Sequence, residues 1–170
     1  MLDLALFIIR LATGGLLAGH GAQKLFGSFG GHGLQGTAGW LESTGLKPGK
    51  AWALMAGSGE FGGGLLTLLV LGGPISSTAT LSTMAMATAK GHWGKPIWVT
   101  EGGAELPLVY GVTATALALT GPGAISLDNL LGIRVPRWLS ALIALGALGT
   151  VTYGILSQPE PAPEAAEGAA

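Results

Sequence analysis

The chain has 170 residues, a length that fits one domain or at most two. Only 10% of the residues are charged, against ~25% in ordinary soluble domains, and the mean hydropathy is +0.57. A soluble protein of this size needs more polar groups to cover its surface, so the composition predicts a membrane protein. The net charge of −1 argues against nucleic acid as a partner. The absence of cysteine excludes disulfides, thiol catalysis and cysteine-ligated metal.

Apolar segments long enough to cross a bilayer recur along the chain, since about 20 helical residues span ~30 Å of hydrocarbon. Membrane-spanning helices are predicted for five segments, the third and fourth being short: 4–25, 51–71, 74–89, 106–120 and 138–156. The predicted fold class is therefore all-α, a transmembrane helical bundle over residues 1–157 with a four-helix core and an additional C-terminal transmembrane helix. The Pro/Ala/Glu-rich residues 158–170 predict a disordered, solvated tail.

The first predicted span carries basic residues and leads into a long connection. Arg10, His20 and Lys24 interrupt its apolar run. Residues 26–50 are too many for a simple turn, and the stretch "GLQGTAGWLESTGLKPG" predicts a short helix over residues 35–43. We expect that helix to lie at the membrane interface or to re-enter the bilayer, where protein or water must cover its backbone.

The second span contains the glycine-rich stretch "GSGEFGGGLL" at 57–66. Its spacing matches the G-x-G-x-x-G of dinucleotide-binding loops, but that motif needs a preceding strand and an acid ~20 residues later. Here the apolar segment continues into the glycines, and the next acid after Glu60 is Glu101. The stretch therefore predicts a transmembrane helix, in which Gly59 and Gly63 form a G-x-x-x-G step that lets a neighbouring helix approach closely.

Glu60 is the only charged residue deep in the second span, roughly 13 Å along its helix at 1.5 Å per residue. A charge at that depth costs at least ~2.5 kcal/mol unless it is paired, so a partner or protonation is expected. The first two spans are antiparallel, and counting from their shared connection puts Arg10 about 7 Å from the depth of Glu60. An extended arginine can largely bridge that gap. Arg10 is therefore the predicted partner of Glu60.

More ionisable residues occur where the third span ends and the fourth begins. The candidate ligand-binding or proton-relay residues therefore gather in one half of the bundle: Arg10, His20, Lys24, Glu60, His92, Glu101 and Glu105. The alternative is that the peripheral ones, like Lys90, are separate interfacial residues that each reach water. An interfacial aromatic belt is predicted on the same side: Trp40, Trp52, Trp93 and Trp98.

Three motifs in order resemble the DoxX family of bacterial and archaeal membrane proteins: "HGAQKLFGSFGGHG" at 20–33, "GSGEFGGGLLTLLVLG" at 57–72 and "EGGAELPLVYG" at 101–111. Arg10 before them and "TGPGAISLD" at 120–128 after them fit the same pattern, so the resemblance covers roughly residues 5–130. It implies a small helical-bundle membrane protein. Some members are associated with a terminal quinol oxidase or a thiosulfate:quinone oxidoreductase, and others with oxidative-stress complexes. Because this sequence has no cysteine, it departs from any thiol-relay role.

Two classes of function follow. The first is an accessory component of a quinone-linked membrane redox system, in which the buried Arg/Glu site binds a quinone head group or relays its protons. The second is a non-enzymatic membrane scaffold or small-solute carrier, in which the same charges lock helices together. The sequence leaves open whether the protein is an enzyme and assigns no catalytic residue.

Cofactors and partners follow from these hypotheses. No cofactor is evident beyond the quinone that the first hypothesis implies, and no metal site is predicted because no two of the three histidines have metal-ligand spacing on a helix. The expected partners are the lipid bilayer, other subunits of a redox complex and a second copy of the chain in a homo-oligomer, with no nucleic acid. The predicted location is the prokaryotic plasma membrane, crossed several times, with the lysine-rich side in the cytoplasm.

Overall fold

A computed structural model describes residues 1–121 and 123–156, so the predicted tail at 158–170 lies outside the described residues. The chain forms seven α-helices over these residues: α1 Leu2–Phe26, α2 Gly33–Ser43, α3 Gly49–Leu69, α4 Pro74–Met86, α5 Glu105–Thr120, α6 Leu127–Leu131 and α7 Arg137–Leu156. A π-helical turn, Ala87–His92, extends α4. The all-α prediction is confirmed, since no strand occurs in this part of the chain.

The predicted spans all form helices, and the stretch at 57–66 lies inside α3 rather than in a strand–turn–helix unit. Within the described ranges, α1 and α7 are long and apolar enough to cross a bilayer, whereas α5 is apolar but shorter. The predicted interfacial helix is α2, which begins two residues earlier than expected at Gly33 and ends at Ser43 as predicted.

The helices form a bundle in which α3 and α4 are central. Helix α3 packs against α1, α2 and α4, and α4 also packs against α5 and α7. Five helices, α1, α3, α4, α5 and α7, run between two ends of the bundle. We name these the α2 end, which carries α2 and residues 87–104, and the α6 end, which carries the N-terminus and residues 123–136. The predicted polar residues other than Arg10 belong to the α2 half.

Glycines on both helices let α1 and α3 pack with their backbones in contact. A Cβ on Gly21 would overlap the backbone of Phe61, and one on Gly64 would overlap the backbone nitrogen of Ala18. A Cβ on Gly14 would lie 2.7 Å from the carbonyl oxygen of Gly64. Close approach of this kind is how small residues hold helices together in lipid, where no hydrophobic force drives association.

The predicted G-x-x-x-G step is also present, on the face of α3 that contacts α4. A Cβ on Gly63 would lie 3.2 Å from the Cβ of Ala79, and one on Gly59 would overlap the side chain of Thr83. These contacts are with side chains, which can adjust more easily than the backbone atoms at the α1 contact. Of these positions on α3, Gly64, which faces α1, is therefore the one that least tolerates a side chain.

The α6 end is fastened by a buried carboxylate. Asp128, 5% exposed, accepts hydrogen bonds from the backbone N–H groups of Gly72 (2.9 Å) and Gly73 (2.6 Å) in the turn between α3 and α4. Its own N–H donates to the carbonyl of Val70 at 3.1 Å. Because Gly73 precedes the first residue of α4, the carboxylate also lies at the positive end of that helix dipole. Asp128 thus ties the segment before α7 to the centre of the bundle.

We expect Asp128→Ala to destabilise the bundle by about 1.5–3 kcal/mol, the range for hydrogen bonds to a charged group. The substitution leaves two N–H groups of the α3–α4 turn without their acceptor. The measurement is thermal unfolding in detergent, with Leu130→Ala as the control, since the Leu130 side chain is 78% exposed. Equal melting temperatures for the two variants would contradict the fastening role.

The outer surface of the bundle is strongly apolar. Large hydrophobic side chains are exposed along α1, α5 and α7: Leu4, Ile8, Leu11, Leu16, Val109, Val112, Leu119, Leu142, Leu145 and Leu148. Soluble monomers rarely expose contiguous apolar patches larger than a few hundred Å². Helix α7 is nearly all surface, with 6% of its apolar window buried. These surfaces are suited to contact with lipid tails.

Candidate ligand-binding site

A buried ion pair joins α1 to α3 in the α2 half of the bundle. The Lys24 Nζ donates to Glu60 Oε2 at 2.5 Å, and the two side chains are 28% and 6% exposed, respectively. Glu60 faces inward, as the cost of placing a carboxylate in lipid predicts. Lys24 lies in the last turn of α1. Its long side chain extends by about one turn along α3 to reach the Glu60 carboxylate.

This ion pair corrects the predicted pairing of Glu60 with Arg10. Gly14 lies against Leu68, so Arg10, one turn nearer the N-terminus, is level with the turn that follows α3. That turn is about 12 residues from Glu60, or roughly 18 Å at 1.5 Å per residue. The prediction assumed that α1 and α3 end level with each other at their connection. In the structure α3 begins about two turns beyond the end of α1, and α2 packs on that extension.

Arg10 is instead part of the α6 end. It is 2% exposed, and its Nη2 donates to the carbonyl of Ile125 at 2.5 Å. It lines a separate cavity of ≈ 70 Å³ together with the buried Thr67, Ser76 and Ser77. Arg10 therefore helps to hold the segment before α6 and does not belong to the Lys24–Glu60 site.

The Lys24–Glu60 pair faces a cavity of ≈ 440 Å³, within the ~300–1,000 Å³ typical of small-molecule sites. All the large helices and α2 contribute to its wall. Most of the lining is apolar, and its ionisable groups are concentrated in the α2 half: His20, Lys24, Glu60, Lys90, His92 and Tyr110. Hydroxyl side chains line the wall along α4 and α7: Thr78, Ser82, Thr83 and Thr150. An apolar cavity with a few convergent polar groups is the usual form of a ligand site.

The two histidines of the cavity are held by hydrogen bonds. His20 Nδ1 lies 3.1 Å from the Gln23 Oε1, and its ring meets Tyr110 edge-on with centroids 6.1 Å apart. His92 Nδ1 lies 2.6 Å from the carbonyl oxygen of Gly102. Because a carbonyl only accepts, the Nδ1 of His92 donates, and Nε2 is the ring position left for another partner.

The remaining predicted candidates lie outside the cavity. Glu105 accepts a hydrogen bond from the N–H of Val99 at 2.8 Å and so closes the turn before α5. Glu101 is exposed in that turn. Of the seven candidates, the structure thus brings four together, His20, Lys24, Glu60 and His92, and places Arg10, Glu101 and Glu105 elsewhere.

Sequence reasoning missed two contributors to the cavity. Tyr110 was not singled out, although its hydroxyl is a hydrogen-bond donor in an otherwise apolar span, which was an available signal. Helix α7 was treated as an addition to a four-helix core, yet Ile143, Ala147 and Val151 form part of the wall. Thr150 of α7 also lines the cavity, but a lone threonine in an apolar helix does not indicate which face lines a cavity.

The arrangement is suited to hydrogen bonding with a small ligand. Lys24 and the Tyr110 hydroxyl can donate hydrogen bonds to a carbonyl oxygen, and the Glu60 carboxylate can accept one from a hydroxyl. In the part of the chain that the structure describes, no group of three or more His, Asp or Glu side chains could hold a metal ion.

The comparison with known families decides the assignment. The sequence model of the DoxX family matches residues 5–93, just over half of the chain. The chain belongs to the DoxX family. This DoxX protein is accordingly a membrane protein, in agreement with its apolar surface. No curated protein and no solved structure matches it.

The matched range includes much of the site. His20, Lys24, Glu60 and His92 all lie within residues 5–93 of the DoxX match. Tyr110 and α7 lie beyond it, as do the motifs at 101–111 and 120–128. The ionisable part of the cavity is therefore carried by the DoxX region, and the following segments complete its wall.

Proposed function

We propose that this DoxX protein binds the head group of a membrane quinone in the cavity beside Lys24 and Glu60, as an accessory component of a membrane redox system. The observation that carries the proposal is a buried ion pair on the wall of a ligand-sized, mostly apolar cavity. We place the protein in the prokaryotic plasma membrane, with its five long helices crossing the bilayer and the lysine-rich α2 end in the cytoplasm.

The chemistry of a quinone head group fits these residues. Its carbonyl oxygens accept hydrogen bonds, which Lys24 and Tyr110 can supply, and its reduced hydroxyls donate them, which Glu60 can accept. Reduction couples electrons to protons, and a buried carboxylate beside an ammonium can take up or release a proton. The electrons would come from an electron-transferring subunit of the redox complex.

A scaffold role is the alternative, and one contact favours it. The Lys24–Glu60 pair joins α1 to α3, two helices whose backbones are in contact, so its charges could serve only to fix that interface. The two functions differ in what they predict for a ligand. A scaffold loses stability when the pair is changed and has no ligand to lose.

Quinone titration across acidic to alkaline pH separates the two. We expect wild type to bind a quinone with a pH-dependent affinity. Glu60→Gln should keep the fold, because the amide fills the same volume, but should lose the pH dependence because it cannot exchange a proton. Glu42→Gln is the matched control, since Glu42 lies in α2 outside the cavity wall. Wild type that binds no quinone at any pH would overturn the redox proposal and leave the scaffold.

A further inference from the structure

The cavity continues from its polar part into a groove between α3, α4 and α7, which we call the α3–α4–α7 groove. Ile75 and Ala79 line it from α4 and Ile143 and Ala147 from α7, whereas Met55 and Ala56 border it on α3 between Trp52 and Glu60. Three hydroxyl side chains also line it: Thr78, Ser82 and Thr150. These residues and the Lys24–Glu60 pair line one continuous cavity. Its lining thus changes from ionisable groups in the α2 half to apolar side chains with a few hydroxyl groups toward the α6 end.

The groove is elongated along the helices that line it. Residues that line the whole cavity recur on α4 at helical spacing from Ile75 to Ala87, which is one face of the helix over about 18 Å at 1.5 Å per residue. Thr83 lies against Gly59, next to Glu60, so the part from Ile75 to Thr83 extends about 12 Å beyond the ion pair. On α7 they recur from Ile143 to Val151, again on one face. A ring-sized head group would occupy only part of that length.

Small side chains leave the space open, and aromatic side chains border it at the α2 end. Ala79 and Ala147 leave room between α4 and α7, where larger residues would fill the groove. At the α2 end, Trp52 stacks on Tyr153 with centroids 6.3 Å apart and an interplanar angle of 12°. Gly154 packs closely there, because a Cβ on it would lie 2.7 Å from the Trp52 ring. These contacts hold α7 to α3 at that end, and the groove extends from there toward the middle of the bundle.

We infer that the α3–α4–α7 groove binds the linear isoprenoid chain of the quinone whose head group lies beside Glu60 and Lys24. This inference rests on the proposed function and adds the substrate class, a long-chain rather than a head-only quinone. Its support is the continuity of the groove with the polar site, its length and its apolar lining. In a bilayer no hydrophobic force favours the groove over lipid, so its selectivity comes from shape and close contact.

The test compares two ligands on wild type and two variants. Ala147→Phe fills the groove. It should lower the affinity for a long-chain quinone at least tenfold and leave the affinity for a head-only quinone unchanged. Ala144→Phe is the control, since Ala144 lies on the exposed face of α7. All titrations use one detergent, so partition of the chain into the micelle cancels when variant and wild type are compared. Equal weakening of both quinones, or of neither, by Ala147→Phe would overturn the inference.

A second measurement uses only wild type, so it does not depend on the folding of a variant. A quinone with a diazirine at the end of its chain should label wild type at the residues of α4 and α7 that line the groove: Ile75, Ala79, Ile143, Ala147 and Val151. Labelling confined to the exposed face of α7 would overturn the inference. So would a diazirine phospholipid that labels the groove and is not displaced by quinone, because the occupant would then be lipid. If wild type binds neither quinone, the proposed function itself is wrong. If wild type binds quinone but the chain does not label the groove, only the inference about the groove is wrong.

Discussion

Gly64→Leu is expected to prevent the bundle from folding stably. The Cβ alone would overlap the backbone nitrogen of Ala18 and lie 2.7 Å from the carbonyl oxygen of Gly14. Backbone atoms cannot rotate away as a side chain can, so α1 and α3 must separate. Overpacking ordinarily costs about 1–3 kcal/mol, and loss of this whole interface should exceed that range, a large fraction of the ~5–15 kcal/mol that stabilises a typical fold.

Gly62→Leu is the matched control for that substitution, two residues away on the same helix. A Cβ on Gly62 meets no other atom within 4 Å, so its leucine points into open space. We expect Gly62→Leu to melt close to wild type in detergent and Gly64→Leu to yield little folded protein. Comparable folded yields and melting temperatures for the two variants would show that the close α1–α3 approach is not required.

Removal of Lys24 is expected to have the second largest effect. Lys24→Met leaves the Glu60 carboxylate, 6% exposed, without its partner. Breaking a buried pair from one side costs about 3–5 kcal/mol, because an uncompensated charge stays in the interior. We expect the lower part of this range, since the lysine side chain is 28% exposed and water can reach it. Thermal unfolding in detergent measures the loss.

A double-mutant cycle tests whether that loss comes from the pair. Lys24→Met combined with Glu60→Gln should cost less than the sum of the two single changes, because no buried charge is then left alone. The comparison cycle uses Arg10→Met with Glu60→Gln. Arg10 lies at the α6 end and donates to Ile125, so its effect should add to that of Glu60→Gln within ~0.5 kcal/mol. Additivity in the first cycle, or coupling in the second, would contradict the observed pairing.

The order and type of the helices were predictable from the sequence. Apolar length decides where a helix can cross a bilayer, and this signal is local, so residues 4–25 and 138–156 predicted α1 and α7 to within two residues at each end. The inward direction of Glu60 was predictable too, because a carboxylate in lipid is costly wherever its helix packs. The prediction that Gly59 and Gly63 contact a neighbouring helix is confirmed. It too was predictable because the G-x-x-x-G spacing is a local signal.

The contents of the site were decided only by the tertiary structure. Which cation meets Glu60 depends on the register of α1 against α3, and that register is set by contacts such as Gly21 on Phe61, far apart in sequence. A shift of a few turns exchanges Arg10 for Lys24. The contribution of α7 was also decided by the tertiary structure, because its apolar residues do not indicate which groove they face. Composition and periodicity determine that helices form and which side chains avoid lipid, whereas the close fit of helix surfaces determines which of those side chains share a cavity.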